Sequence, residues 1–124
     1  MNSRTPQELG KEGERRARIF LEEKGWCCLG ANLRFPRGEI DLVFLDLRKE
    51  LVFVEVRART VGILQPPETT LGPRKIKSLL HAARCYVSRK RWEGYWRIDL
   101  ITFLVRGPVW EIEYFEDITG GMLS

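Results

Sequence analysis

Two short apolar runs constrain this chain more than anything else in it: Gly38-Glu39-Ile40-Asp41-Leu42-Val43 and Val52-Phe53-Val54-Glu55-Val56-Arg57-Ala58-Arg59. Both are rich in β-branched residues and read as strands, yet each carries a carboxylate in its middle. Burying an unpaired charge costs on the order of several kcal/mol. The carboxylates therefore lie at an open end of a sheet or hold a ligand.

Alternation sharpens the choice. Glu39, Asp41, Val43 and Leu45 share one face of the first run, with Ile40, Leu42 and Phe44 opposite. In the second, Leu51, Phe53, Glu55, Arg57 and Arg59 oppose Val52, Val54, Val56 and Ala58. A hairpin has to satisfy both faces, because a one-residue slip inverts every side chain. Pairing Leu45 with Leu51 and Val43 with Phe53 does so. That register sets Asp41 opposite Glu55, where cross-strand Cβ atoms lie about 4.5–5.5 Å apart. Like charges so close repel unless a cation or proton intervenes. Mg²⁺ is bound by one or two carboxylates together with water and substrate phosphate. With Arg57 on the same face and Lys75 on the helix that follows, the set suits a metal and a phosphodiester. The metal would polarise the phosphate and activate water, and the cations would offset charge growing on the phosphate.

The rest of the chain supplies a frame. Thr5-Pro6-Gln7-Glu8 has capping-box spacing with Pro at the first helical position, and Gly25 marks the stop. Glu14 falls beside the apolar face of that helix, near Gly10 and Gly13. It either belongs to the site or is a boundary residue that reaches water or pairs with Arg18 one turn on. A weak strand spans Trp26 to Arg34, and Phe35-Pro36-Arg37-Gly38 turns the chain. A loop runs from Thr60 to Gly72. Pro73 opens a second helix to about Arg91, with Ile76, Leu79, Leu80, Ala83 and Val87 as its core stripe. Arg97 to Val105 is nearly continuously apolar, as in a strand covered on both faces, and Val109 to Phe115 pairs with it as an edge guarded by Glu111 and Glu113. The order helix, three strands, helix, two strands predicts an α/β fold, a mixed sheet of about five strands flanked by helices. One domain over residues 1–119 and a disordered tail, 120–124, complete the expectation.

Charge and cysteine narrow the function. From Gly107 onward there are four acids and no Lys or Arg, so the other 106 residues carry 21 basic against 13 acidic side chains. Between Pro73 and Arg97 eight Lys or Arg face one acid, Glu93. A second stripe of that helix, Arg74, Lys77, His81, Arg84, Ser88 and Arg91, is an anion-binding surface or an ordinary solvated face. Together with Arg37 on the turn and Arg59 at the strand's end, Arg74, Lys77, Arg84 and Arg91 are the candidate nucleic-acid contacts. Trp92, Tyr95 and Trp96 read as core packing, with a base-stacking platform as the alternative. Cys27, Cys28 and Cys85 form no zinc or disulfide pattern and are expected to be buried thiols. No apolar run reaches the roughly 20 residues of a membrane span, and no signal-peptide pattern is present, so the expected location is cytoplasmic.

Gly13-Glu14, Asn32-Leu33-Arg34, Gly38 to Leu42, Val52 to Arg59, Lys75 with Ala83, and Arg97-Ile98-Asp99 together resemble the YraN-type family of small bacterial proteins. That family is related to restriction endonucleases and archaeal Holliday-junction resolvases. The resemblance implies a restriction-endonuclease-like core with an acid, acid-x-Lys metal-dependent nuclease site. Asp41 and Glu55 would then be metal ligands for one or two Mg²⁺ or Mn²⁺ ions, with the Val56 carbonyl as a third and Glu14 as a helix carboxylate beside the metal. Position 57 corresponds to the superfamily's active-site Lys and is Arg here, so Lys75 is the compact cation that remains. Glu14, Asp41, Glu55, Arg57 and Lys75 form the implied catalytic set. The implied activity is cleavage of DNA, branched or single-stranded, and the implied assembly a homodimer. The alternative is a non-catalytic nucleic-acid-binding accessory, or an interaction protein for a DNA-processing partner that uses the acidic last strand.

Overall fold

A computed structural model describes residues 4–61 and 71–119. Helix α1 spans Pro6–Glu23, strands β1, β2 and β3 span Cys27–Phe35, Gly38–Leu45 and Leu51–Thr60, helix α2 spans Pro73–Lys90, and β4 and β5 span Trp96–Arg106 and Val109–Phe115. Most of the loop expected between Thr60 and Gly72, and the tail expected from residue 120, lie outside the described residues.

One sheet holds the five strands in chain order, antiparallel except where β3 runs parallel to β4. The helices cover opposite faces. Ala17 and Leu21 of α1 pack on Leu42, Phe44, Val52, Val54 and Ile101. Leu79, Leu80, Ala83 and Tyr86 of α2 pack on Ile40, Val43, Leu51, Phe53 and Ile98. This is the α/β arrangement, a mixed five-stranded sheet between two helices, expected of a restriction-endonuclease-like core. Parallel pairing needs a crossover, and α2 provides it between β3 and β4.

Local chemistry fixes the ends. Thr5 accepts from the Glu8 amide and the Glu8 carboxylate accepts from the Thr5 amide, the reciprocal capping box that starts α1. α2 begins at Pro73 behind Gly72 and ends at Arg91 in the left-handed conformation, φ 53°. β4 is buried along most of its length and β5 is the exposed edge. At the start of β4, Asp99 is fully buried and accepts from Tyr114 Oη, the Asp117 amide and Arg97. Arg97 also reaches Asp46, Glu50 and Glu116. Burial raises the Asp99 carboxyl, and its donors oppose that rise.

Several expectations are corrected. β3 keeps its alternation, but β2 does not: Ile40 packs on the α2 side while Leu42, two residues on, packs on the α1 side. The same reversal occurs on β1, where Ala31 lies against the α1 cluster and Leu33 against the α2 cluster. Asn32, between them, has φ 52°. Two strands reverse together at one rung. The cysteines are not buried thiols: Cys27 is exposed, and Cys28 and Cys85 are half-buried. Trp92 and Trp96 pack against the core as expected, but Tyr95 is 82% exposed.

Candidate functional site

The β2–β3 ladder has the register derived from alternation, with Leu45 opposite Leu51 and Val43 opposite Phe53, and it continues to Leu42 opposite Val54. There it stops. One residue further, the Asp41 side chain takes over a backbone role, its Oδ2 accepting from the Val56 N–H at 2.8 Å. On the other flank of β2 the pairs Ala31–Leu42 and Leu33–Ile40 leave out Asn32 and Asp41. Asp41 thus sits where both of its strand's ladders are interrupted, and this interruption frees its carboxylate from either packed face.

Glu55 keeps to the face it was expected to share with Leu51 and Phe53, which α2 covers, and is only 5% exposed. Lys75 Nζ lies 3.4 Å and Arg57 Nε 3.9 Å from its Oε2. Burial, and then the Asp41 charge, push the Glu55 carboxyl up to about 8 even though Lys75 pulls it down. Glu14 is half-buried on α1, and its carboxyl is also raised, by burial first and then by Asp41. It does not pair with Arg18, which bonds Glu22. The neighbouring Asn32 side chain opposes that rise.

The carboxylates therefore form a row with Asp41 in the middle, interacting with Glu14 on one side and Glu55 on the other. Among the described residues no three His, Cys, Asp or Glu close into one ready-made metal cluster. The Glu14 end opens into a polar cleft of about 450 Å³, also lined by Gln7, Lys11, Asn32 and Arg34. Of the two glycines near Glu14, Gly13 brings α1 close to the sheet: a Cβ there would lie 3.1 Å from Ala58 Cβ, whereas one on Gly10 would meet nothing within 4 Å.

The basic residues divide. Lys75 and Arg57 join the carboxylates. Arg74, Lys77, Arg84 and Arg91 are exposed. At about 100° per residue they lie on the outer side of α2, well round from Lys75. Arg37 borders mid-helix, its carbonyl accepting from Ser78 Oγ at 2.9 Å. A Cβ on Gly38 would collide with the Ser78 carbonyl, which explains the glycine at this docking point. Arg59 is half-buried near the end of β3. Two site residues escaped the sequence reading of chemistry. Asn32 stood out only as part of a motif, and a poor strand former inside a strand was the available signal. Thr102 lies beside Arg57 in the parallel register, with a buried hydroxyl that makes no hydrogen bond among the described residues.

A family model described as "Uncharacterised protein family UPF0102" matches residues 13–103, a span holding every one of these carboxylates and Lys75. A UPF0102 protein of Lawsonia intracellularis is 38% identical over 90% of this chain and 84% of its own. One from Dehalococcoides mccartyi is 34% identical over 92% and 94%, and one from Anaeromyxobacter dehalogenans is 49% identical over 62% and 57%.

Proposed function

The chain belongs to the uncharacterised family UPF0102, whose description carries no activity, and from the site itself we propose a divalent-metal-dependent nuclease acting on DNA. One observation carries the reading: a nearly buried carboxylate, Glu55, beside a second carboxylate, with an ammonium and a guanidinium within 4 Å of the first. A site built only for stability gains little from two repelling acids.

The donor set fits Mg²⁺ or Mn²⁺, because every candidate ligand is a hard oxygen and a cation would relieve the Asp41–Glu55 repulsion. Asp41 and Glu55 would hold the ion, with the Val56 carbonyl and Glu14 as further oxygens. Bound there, the ion would supply Lewis-acid polarisation of the phosphate and an activated water. Lys75 and Arg57 bind the phosphate and stabilise the charge that grows on it. Arg57 is permanently protonated, so it orients and neutralises rather than accepting a proton. Branched or single-stranded DNA is the proposed substrate on the strength of the resemblance.

Purified chain incubated with branched, single-stranded and duplex DNA and Mn²⁺ is the direct test. Cleavage of at least one substrate is expected, with a loss of about a hundredfold or more in Asp41→Ala and in Glu55→Ala, the range seen when transition-state charge stabilisation is removed. Cleavage of none, or cleavage indifferent to both substitutions, overturns the proposal. A second reading, DNA binding without turnover, is favoured by the exposed basic side of α2 lying away from the carboxylates.

A further inference from the structure

Resting on that reading, we propose that the polar cleft beside Glu14 and Asp41 receives one unpaired nucleotide of the DNA strand, and that Gly10 keeps the room for it. Gln7, Gly10, Lys11 and Glu14 follow at i, i+3, i+4 and i+7 along α1 and line the cleft together with Asn32 and Arg34 of β1 and Asp41 of β2. At about 450 Å³ it has the size of a pocket for one small ligand.

Glycine inside a helix is unfavourable relative to alanine. It serves where φ is positive, where the chain's own atoms come close, or where a ligand approaches the backbone. The first does not hold, because Gly10 is helical, whereas the glycines with positive φ among the described residues are Gly25 and Gly107. Nor does the second: among the described residues an added Cβ at Gly10 meets nothing within 4 Å, in contrast to Gly13 one turn on. The third remains, and the open space beside Gly10 is the cleft.

The lining suits a nucleotide. A strand whose phosphate lies at the carboxylates has its next nucleoside here, since Asp41 borders the cleft. Gln7 and Asn32 each carry an amide donor and acceptor, which match the mixed donors and acceptors of a base edge. In a duplex the pairing partner occupies that edge, so it is an unpaired base that can use them. Lys11 and Arg34 supply cations for flanking phosphates. Arg34 pairs with Glu39 at 3.5 Å, but both side chains are largely exposed, and such a pair exchanges readily for a phosphate.

Fluorescence anisotropy of the full chain tests this, with chelator present to stop metal-dependent cleavage, using labelled oligothymidine of about ten nucleotides and a duplex of equal length. Gly10→Leu fills the cleft and is expected to weaken oligothymidine binding about tenfold, within the range that one well-held base contributes, and to leave duplex binding unchanged. Gly10→Ala should show a smaller loss in the same direction. Both should unfold at or above the wild-type temperature, because each favours the helix and its Cβ meets no clash. Lys11→Ala should reduce the salt slope for oligothymidine by about 0.7, the share of one single-strand phosphate. Four results each overturn the inference: no oligothymidine binding by the wild type or undiminished binding by Gly10→Leu, an equal loss on the duplex, a lowered unfolding temperature in Gly10→Ala, or full displacement of oligothymidine by equimolar thymidine monophosphate. Mn²⁺-dependent cleavage by the wild type would leave the nuclease reading standing in any of these cases. No cleavage, with the Gly10→Leu effect present, overturns the nuclease reading and supports the cleft.

Discussion

A buried carboxyl that holds its proton to about pH 8 makes stability depend on pH in a definite direction. In the unfolded chain Glu55 titrates near 4.5, so the folded state binds the proton more tightly. Its contribution is complete below about pH 4.5 and is lost as pH rises through about 8. With a chelator present, wild-type stability measured by denaturant unfolding is therefore expected to fall between about pH 5 and about pH 9, on the order of a few kcal/mol. Glu55→Gln should flatten that slope. An equal slope in both proteins would assign it to other groups. Glu55 was legible in the sequence because alternation keeps it with Leu51 and Phe53, but the expected pairing of Asp41 opposite Glu55 is replaced by the Asp41–Val56 bond, since the ladder ends at Leu42 and Val54. Asn32 was not, since its part depends on one left-handed φ that leaves no trace in periodicity.

At the scale of elements, helix starts and strand pairing follow directly from residue chemistry. Thr5 and Glu8 announce a cap, and Leu45 opposite Leu51 follows from matching apolar faces. Face assignment along β2 failed at Ile40 because period two presumes an unbroken pleat, and the rung at Asn32 and Asp41 breaks it. Helix α1 comes close to β3 at Gly13, where an added Cβ would already sit 3.1 Å from Ala58 and 3.5 Å from Val56 Cγ1. Gly13→Val is therefore expected to destabilise the protein by about 1–3 kcal/mol, the usual cost of overpacking. Because the next residue is Glu14, the helix shift should also weaken Mn²⁺ binding. Chemical denaturation and a cation titration of the same variant check both effects.

Across the whole molecule, charge is segregated. The exposed edge β5 and the residues after it carry acids and no Lys or Arg, while α2 carries basic residues and no acid. A polyanion approaching this surface meets the outer side of α2 and is repelled by β5. Arg84→Ala combined with Arg91→Ala should weaken DNA binding on every sequence alike and reduce the salt slope by about 2, one for each phosphate that is no longer neutralised. Fluorescence anisotropy at several salt concentrations measures this, and an unchanged slope would remove these residues from the interface. The basic character of α2 was legible in the sequence, and so were the element order and the β2–β3 and β4–β5 hairpins, whereas the parallel pairing of β3 with β4 was not. That Lys75 reaches Glu55 while the stripe stays on the outer side became evident only once the core stripe of α2 had chosen its side of the sheet.

The Asp41–Val56 bond bears on which cation the proposed site would select. One Asp41 oxygen already completes a rung that the backbone left open. The side chain is therefore suited to lend a single oxygen, which matches a small octahedral ion that keeps much of its water. Ca²⁺, larger and accustomed to taking both oxygens of a carboxylate, would have to compete with the sheet for the second. The proposed site's preference among cations would in this sense be set by the strand pairing next to it.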